Sequence, residues 1–138
     1  MFKKYPKAER VNTLDEIEAL ATSGKPVLVD FYQNGCAPCQ VMDGIMNELA
    51  REYGDSAHVV KADITRMPDA QYKFKVRSTP TMVLLSSKPP KRSKKKARTG
   101  NSQPAGGRPA VTQRWRASGL VQKDFLVKVL ESNGAVRS

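Results

Sequence analysis

The sequence predicts an α/β fold, a single domain on a central mixed sheet with helices on both faces. Two patterns predict it. Val27-Leu28-Val29-Asp30-Phe31-Tyr32 is a nearly unbroken β-favouring run, as a strand buried on both sides requires. Runs of this kind alternate with segments of helical period, which is how parallel strands are joined. A chain of 138 residues is the size of one ordinary domain.

The elements follow in order. Val11 is read as part of a short edge strand. Thr13-Leu14-Asp15-Glu16 opens a helix, with Thr13 as cap and Glu16 completing a capping box. Leu14, Ile17, Leu20 and Ala21 share its apolar face, and Gly24 ends it. After the Val27–Tyr32 strand, a second helix begins near Cys36, with Pro38 in the first turn where a missing N–H does no harm. It runs to about Tyr53 with Val41, Met42, Ile45, Met46, Leu49 and Ala50 inward, and Gly44 marks a bend or a close-packing point. A strand over His58 to Ile64, a short helix over Pro68 to Phe74 and a strand over Thr81 to Leu85 come next. Ala110 to Arg116 alternates as a last strand carrying Trp115, and Leu120 to Leu130 reads as a final helix with Phe125, Leu126, Val129 and Leu130 inward. His58 is expected at a strand entrance rather than in chemistry.

Composition narrows the class. Apolar residues make up 39% of the chain, enough for a core. No apolar run approaches the roughly 20 residues that cross a bilayer. The opening MFKKYPKAERVNT shows no secretory signal, so the expected location is cytoplasmic. The net charge of +11 is concentrated between Ser86 and Pro109, where Lys88, Lys91, Arg92, Lys94, Lys95, Lys96, Arg98 and Arg108 stand without an acid. Removing those eight leaves the remainder at +3. So polar a segment cannot offset the entropy of ordering. The expected organisation is therefore one domain over residues 1–138, with a flexible basic insert at 86–109 between the last two strands. Closing such a loop costs little, because closure entropy grows only logarithmically with length.

Cys36-Ala37-Pro38-Cys39 stands where a buried strand passes into a helix. A thiolate there faces unpaired N–H groups and the positive end of the helix dipole, which stabilise its charge. Cys36 is thus expected to be the exposed nucleophile. Cys39, one turn on, is within disulfide reach and more buried. A zinc site lacks ligands, since His58 is the only other soft donor in the chain. A structural staple closing so short a loop contributes only about 2 kcal/mol. Redox exchange is the better account, and no cofactor is called for. Asp30 interrupts an apolar strand and is costly to bury unpaired, so it is compensated, functional or turned to solvent. If buried, it is placed to take a proton from Cys39. Lys61 on the following strand is either its compensating charge or a solvated lysine. Pro80, after Ser78-Thr79, opens an apolar strand and is a candidate cis-proline beside the cysteines.

These residues together resemble the thioredoxin superfamily: Val27 to Tyr32, Cys36-Ala37-Pro38-Cys39, Lys61 and Thr79-Pro80-Thr81, at consistent spacings. The likeness covers about residues 13–85 and 110–131 and implies the thioredoxin fold. It implies that Cys36 attacks a target disulfide, that Cys39 resolves the mixed disulfide, and that Asp30 with Lys61 manages the Cys39 proton. It further implies that Pro80 is cis and that the Thr79 backbone pairs with an incoming peptide strand. The chain departs from the usual pattern at Gly35, where thioredoxins carry tryptophan, at Ala37 in place of glycine, and at Thr79 in place of isoleucine. Gly35, Thr79 and Pro80 are accordingly the expected substrate-binding positions.

Two functions are open on this basis. One is a monomeric protein-disulfide oxidoreductase serving electron transport and cell redox homeostasis, with protein disulfides as substrates and an unidentified reductase or electron donor as partner. The other is a binding module in which Lys91, Arg92, Lys94, Lys95, Lys96 and Arg98 engage nucleic acid or an anionic surface. The insert has no aromatic residue for base stacking, so any nucleic-acid contact falls on phosphates. A solvated loop that merely favours solubility is the third use of the same charges.

Overall fold

The computed structural model describes residues 8–87 and 111–137. Its elements are β1 (Glu9–Val11), α1 (Leu14–Ala21), β2 (Val27–Tyr32), α2 (Ala37–Tyr53), β3 (His58–Asp63), a 3₁₀ turn (Ile64–Arg66), α3 (Pro68–Phe74), β4 (Thr81–Ser86), β5 (Thr112–Ser118) and α4 (Lys123–Ser132). The strands form one sheet in the order β1-β3-β2-β4-β5. β1, β3 and β2 are parallel, while β4 runs antiparallel to β2 and β5 antiparallel to β4. This is the mixed α/β sheet that the hydrophobic pattern implies.

Burial follows the period-two logic of strands. Leu28, Val59, Met82 and Leu84 point to one side and pack with Met42, Met46 and Leu49 of α2 and Leu126 and Leu130 of α4. Val27, Val29, Phe31, Val60 and Val83 point to the other and pack with Ile17 of α1 and Ala70 and Phe74 of α3. Asp30 belongs to the first set, so its carboxylate is turned under α2. The Thr13–Glu16 capping box is present: Glu16 N–H donates to Thr13 Oγ1 at 3.1 Å and Thr13 N–H to Glu16 Oε1 at 3.2 Å.

Several boundaries and orientations differ from expectation. The last strand lies two residues further on, β3 ends at Asp63 because Ile64 enters the 3₁₀ turn, and the final helix starts at Lys123. Val41 is 54% exposed. At 100° per residue it sits about 130° round from the middle of the buried α2 stripe. Phe125 is also exposed, and its ring meets that of Trp115 of β5 at a tilt of 53° with ring centres 5.7 Å apart. Among the described residues, apart from its own helix backbone, no atom lies within 4 Å of where a Cβ on Gly44 would stand, so close packing is not its role. Ser86 is a buried residue of β4 rather than the start of the basic insert. The rest of that insert from residue 88 on, with Lys91, Arg92, Lys94, Lys95, Lys96 and Arg98, lies outside the described residues.

Candidate redox site at the start of α2

β2 delivers the chain to the rim of the sheet, and the turn Gln33-Asn34-Gly35 redirects it into α2. Gly35 sits at φ +81°, in the left-handed region that side chains disfavour, and among the described residues beyond its chain neighbours nothing lies within 4 Å of a would-be Cβ. The position that carries tryptophan in most thioredoxins is therefore a bare, exposed turn here. Cys36 follows in extended conformation as the N-cap of α2. Its Sγ accepts the Cys39 N–H at 3.2 Å, a donor it shares with the Cys36 carbonyl at 3.1 Å in the first turn of the helix. Cys36 and Cys39 are joined as a disulfide with Cα atoms 5.2 Å apart. Cys36 is half-buried and Cys39 is 5% exposed. The expected asymmetry between an accessible and a sheltered sulfur is thus present.

The loop before β4 closes over the same sulfur. The Thr79–Pro80 bond is cis. Thr79 O and Thr79 Oγ1 each lie 3.6 Å from Cys36 Sγ, and Thr79 Oγ1 is also 3.3 Å from Gln33 Oε1. Pro80 is buried beneath this loop, and its carbonyl accepts the Gly119 N–H at 2.8 Å. Gly35, Cys36, Thr79 and Pro80 are therefore neighbours in space, as the sequence reading supposed.

Asp30 is 1% exposed, and neither carboxylate oxygen has a hydrogen-bond partner among the described residues. Solvent orientation is ruled out. Burial pushes its pKa up from the usual 3.8 to about 7, the Asp43 carboxylate pushes the same way, and the Lys61 ammonium opposes both. Lys61 pairs with Asp30 in strand register and is itself 8% exposed, so it is not a solvated lysine. Yet its ammonium hydrogen-bonds Asp43 of α2, with Asn47 Oδ1 at 3.4 Å. Lys61 thus offsets Asp30 through space without bonding to it, which corrects the simple expectation of a compensating partner.

A cleft of about 250 Å3 opens over these groups, lined among others by Asp30, Cys36, Cys39, Asp43, Arg10 and Tyr32. It brings Asp30 and both cysteines to one opening on the surface. Asp43 and Arg10 escaped the sequence reading. The one available signal was the spacing of Asp43 four residues after Cys39, which puts both on one side of a helix. His58 stands at the start of β3 with its Nε2 3.3 Å from Ser23 Oγ, and it takes no part in the site.

Comparison with known proteins agrees with this geometry. The family model described as thioredoxin matches residues 10–103. Thioredoxin Y1, chloroplastic, of Arabidopsis thaliana is 40% identical over 79 residues, covering 56% of this chain and 46% of that protein. The chain thus spans about half the length of that chloroplast relative. A thioredoxin-like protein of Synechocystis is 40% identical over 73 residues, covering 53% of this chain and 70% of the relative. Among solved structures, Malassezia sympodialis thioredoxin superposes with a TM-score of 0.70 at 12% identity, over 97% of this chain and 98% of that one, which speaks for the fold alone. The matched stretch takes in β2, the cysteine turn and the cis-proline loop, and on it rests the conclusion that this chain belongs to the thioredoxin family.

Proposed function

We propose that the protein is a thiol–disulfide oxidoreductase that reduces or exchanges protein disulfides through Cys36 and Cys39. The observation that carries this reading is the placement of the Cys36–Cys39 disulfide at the N-terminus of α2, where a helix N–H already bonds Cys36 Sγ. In the dithiol form, the same donors and the helix dipole favour the Cys36 thiolate. That thiolate attacks one sulfur of a target disulfide, forming a mixed disulfide and expelling the other target sulfur as a thiolate, which takes up a proton. Cys39 then gives its proton to Asp30 through the shared cleft. The resulting thiolate attacks Cys36 Sγ, restoring the Cys36–Cys39 bond and expelling the second target sulfur as a thiolate, which takes up a proton while Asp30 returns its own to solvent. Two electrons pass from the dithiol to the target.

Asp30 and Lys61 serve the proton step in this scheme. Gly35, Thr79 and Pro80 form the docking surface, with the Thr79 backbone held beside the reacting sulfur. Because each cycle leaves a disulfide, the proposal includes a thiol-reducing donor and a reducing compartment such as the cytoplasm, where the protein acts as a monomer in redox homeostasis. The protein is expected to accelerate the reduction of insulin disulfides by dithiothreitol, followed by turbidity. A rate no greater than that of dithiothreitol alone would sink the reading.

A second reading adds to the first. The basic run Lys91, Arg92, Lys94, Lys95, Lys96 and Arg98 carries charge suited to phosphates or an anionic surface, and it would recruit acidic or nucleic-acid-bound targets to the thiols. Absence of binding to duplex DNA and to anionic vesicles at low salt would end it.

A further inference from the structure

One rung of the sheet carries three charges side by side. Arg10 of β1 pairs in register with Lys61 of β3, and Lys61 with Asp30 of β2. The next strand presents Met82 to Asp30, an apolar neighbour in register on that side. Over the rung lies α2, which contributes Cys36, Cys39 and Asp43 to the cleft, while Tyr32 enters it from the end of β2. The Arg10 guanidinium lies 5.9 Å from the Tyr32 ring centre.

A buried aspartate beside a buried lysine would ordinarily be expected to form an ion pair. Here it does not. The Lys61 ammonium bonds the Asp43 carboxylate, whose side chain is 50% exposed, while both oxygens of Asp30 are left without partners. Asn47 Oδ1, near the same ammonium, also accepts the Ala8 N–H at 3.0 Å and so ties the start of the sheet edge to α2. The lysine is held by side chains of α2.

We propose that Asp43 is a positioning residue of the disulfide exchange: by holding the Lys61 ammonium it keeps Asp30 out of an ion pair and able to take and retain the Cys39 proton. A carboxylate bonded directly to an ammonium is a weak base, because the pair stabilises its charged form. Asp43 prevents that pairing and adds a like charge of its own. Both effects favour the protonated form of Asp30. The inference rests on the exchange reading for its meaning, but its geometry stands independently of turnover.

The test is a 13C titration of the Asp30 carboxyl in the oxidised protein, comparing wild type with Asp43→Asn and Asp43→Glu. In Asp43→Asn the lysine is freed and the like charge is gone, so the Asp30 midpoint should fall by about one pH unit, a tenfold loss of proton affinity. Asp43→Glu, which keeps the charge one methylene further out, should return the midpoint toward wild type. An unchanged or raised midpoint in Asp43→Asn, or a fall in Asp43→Glu equal to that in Asp43→Asn, would overturn the proposal. As a second readout, the pH profile of single-turnover insulin reduction should move in the same direction as the midpoint. A profile that stays put while the carboxyl titration shifts would remove Asp43 from the reaction. If wild type shows no turnover, it is the exchange reading that fails, and the titration in the oxidised protein still reports the charge arrangement.

Discussion

Cys36→Ser is expected to lose all catalysis of insulin reduction, a drop on the order of a thousandfold or more to the rate of dithiothreitol alone. A serine hydroxyl at the N-cap of α2 accepts the Cys39 N–H as the sulfur does, so the helix start survives while the nucleophile is gone. Cys39→Ser should behave differently. Its Cys36 still attacks, but the adjacent second sulfur that resolves the adduct is missing, along with its high effective concentration. Mixed disulfides with insulin chains should therefore accumulate, seen as a mass increment that dithiothreitol reverses. Equal activity of wild type and Cys36→Ser, or equal adduct formation by the two single-cysteine variants, would contradict the assigned order of attack.

Asp30→Asn should stabilise the oxidised protein at alkaline pH and leave it unchanged near pH 4. The pKa of Asp30 is raised by burial from 3.8 to about 7. Below 3.8 the folded and unfolded chains are both protonated at this residue, and no difference arises. Between the two values the unfolded chain ionises while the folded one holds its proton, so stability falls by about 1.4 kcal/mol per pH unit. Above the raised value the loss levels off at about 4 kcal/mol, an order-of-magnitude figure. Asparagine carries no charge to desolvate and escapes this slope. Urea unfolding of both oxidised proteins from pH 4 to pH 9 measures it. A difference between them that does not grow with pH would show that Asp30 is not the strained carboxylate described here. Such a cost is consistent with a group retained for proton transfer rather than for stability.

Much of this is legible in the sequence. The Val27–Tyr32 run could be little else than a central strand, and Pro68 and Phe74 bound a helix that the structure places at the same residues. The cysteine turn was legible because strand, helix start and proline each carry a local signature. Orientation errors arose where period alone decides. Val41 lies well round α2 from its buried stripe and Phe125 lies beside that of α4, and only the position of the neighbouring elements shows that Val41 is left exposed among the described residues and that Trp115 meets Phe125. Asp43 was illegible for a different reason. In sequence it is an ordinary polar residue of an amphipathic helix. Its importance depends on α2 lying across β3, so that a helix side chain reaches a strand lysine 18 residues away in sequence. The register that sets Lys61 beside Asp30 is likewise a property of the folded sheet.

The claim on which the chemistry depends is that the first turn of α2 activates Cys36. The rate of Cys36 alkylation by iodoacetamide in reduced Cys39→Ser protein, measured from pH 5 to pH 10, tests this without any protein substrate. An assisted sulfur should show a rate rising along a thiolate titration centred clearly below the value of about 8.5 found for a free cysteine. A curve centred at 8.5 or above would mean that the helix start does nothing for this sulfur.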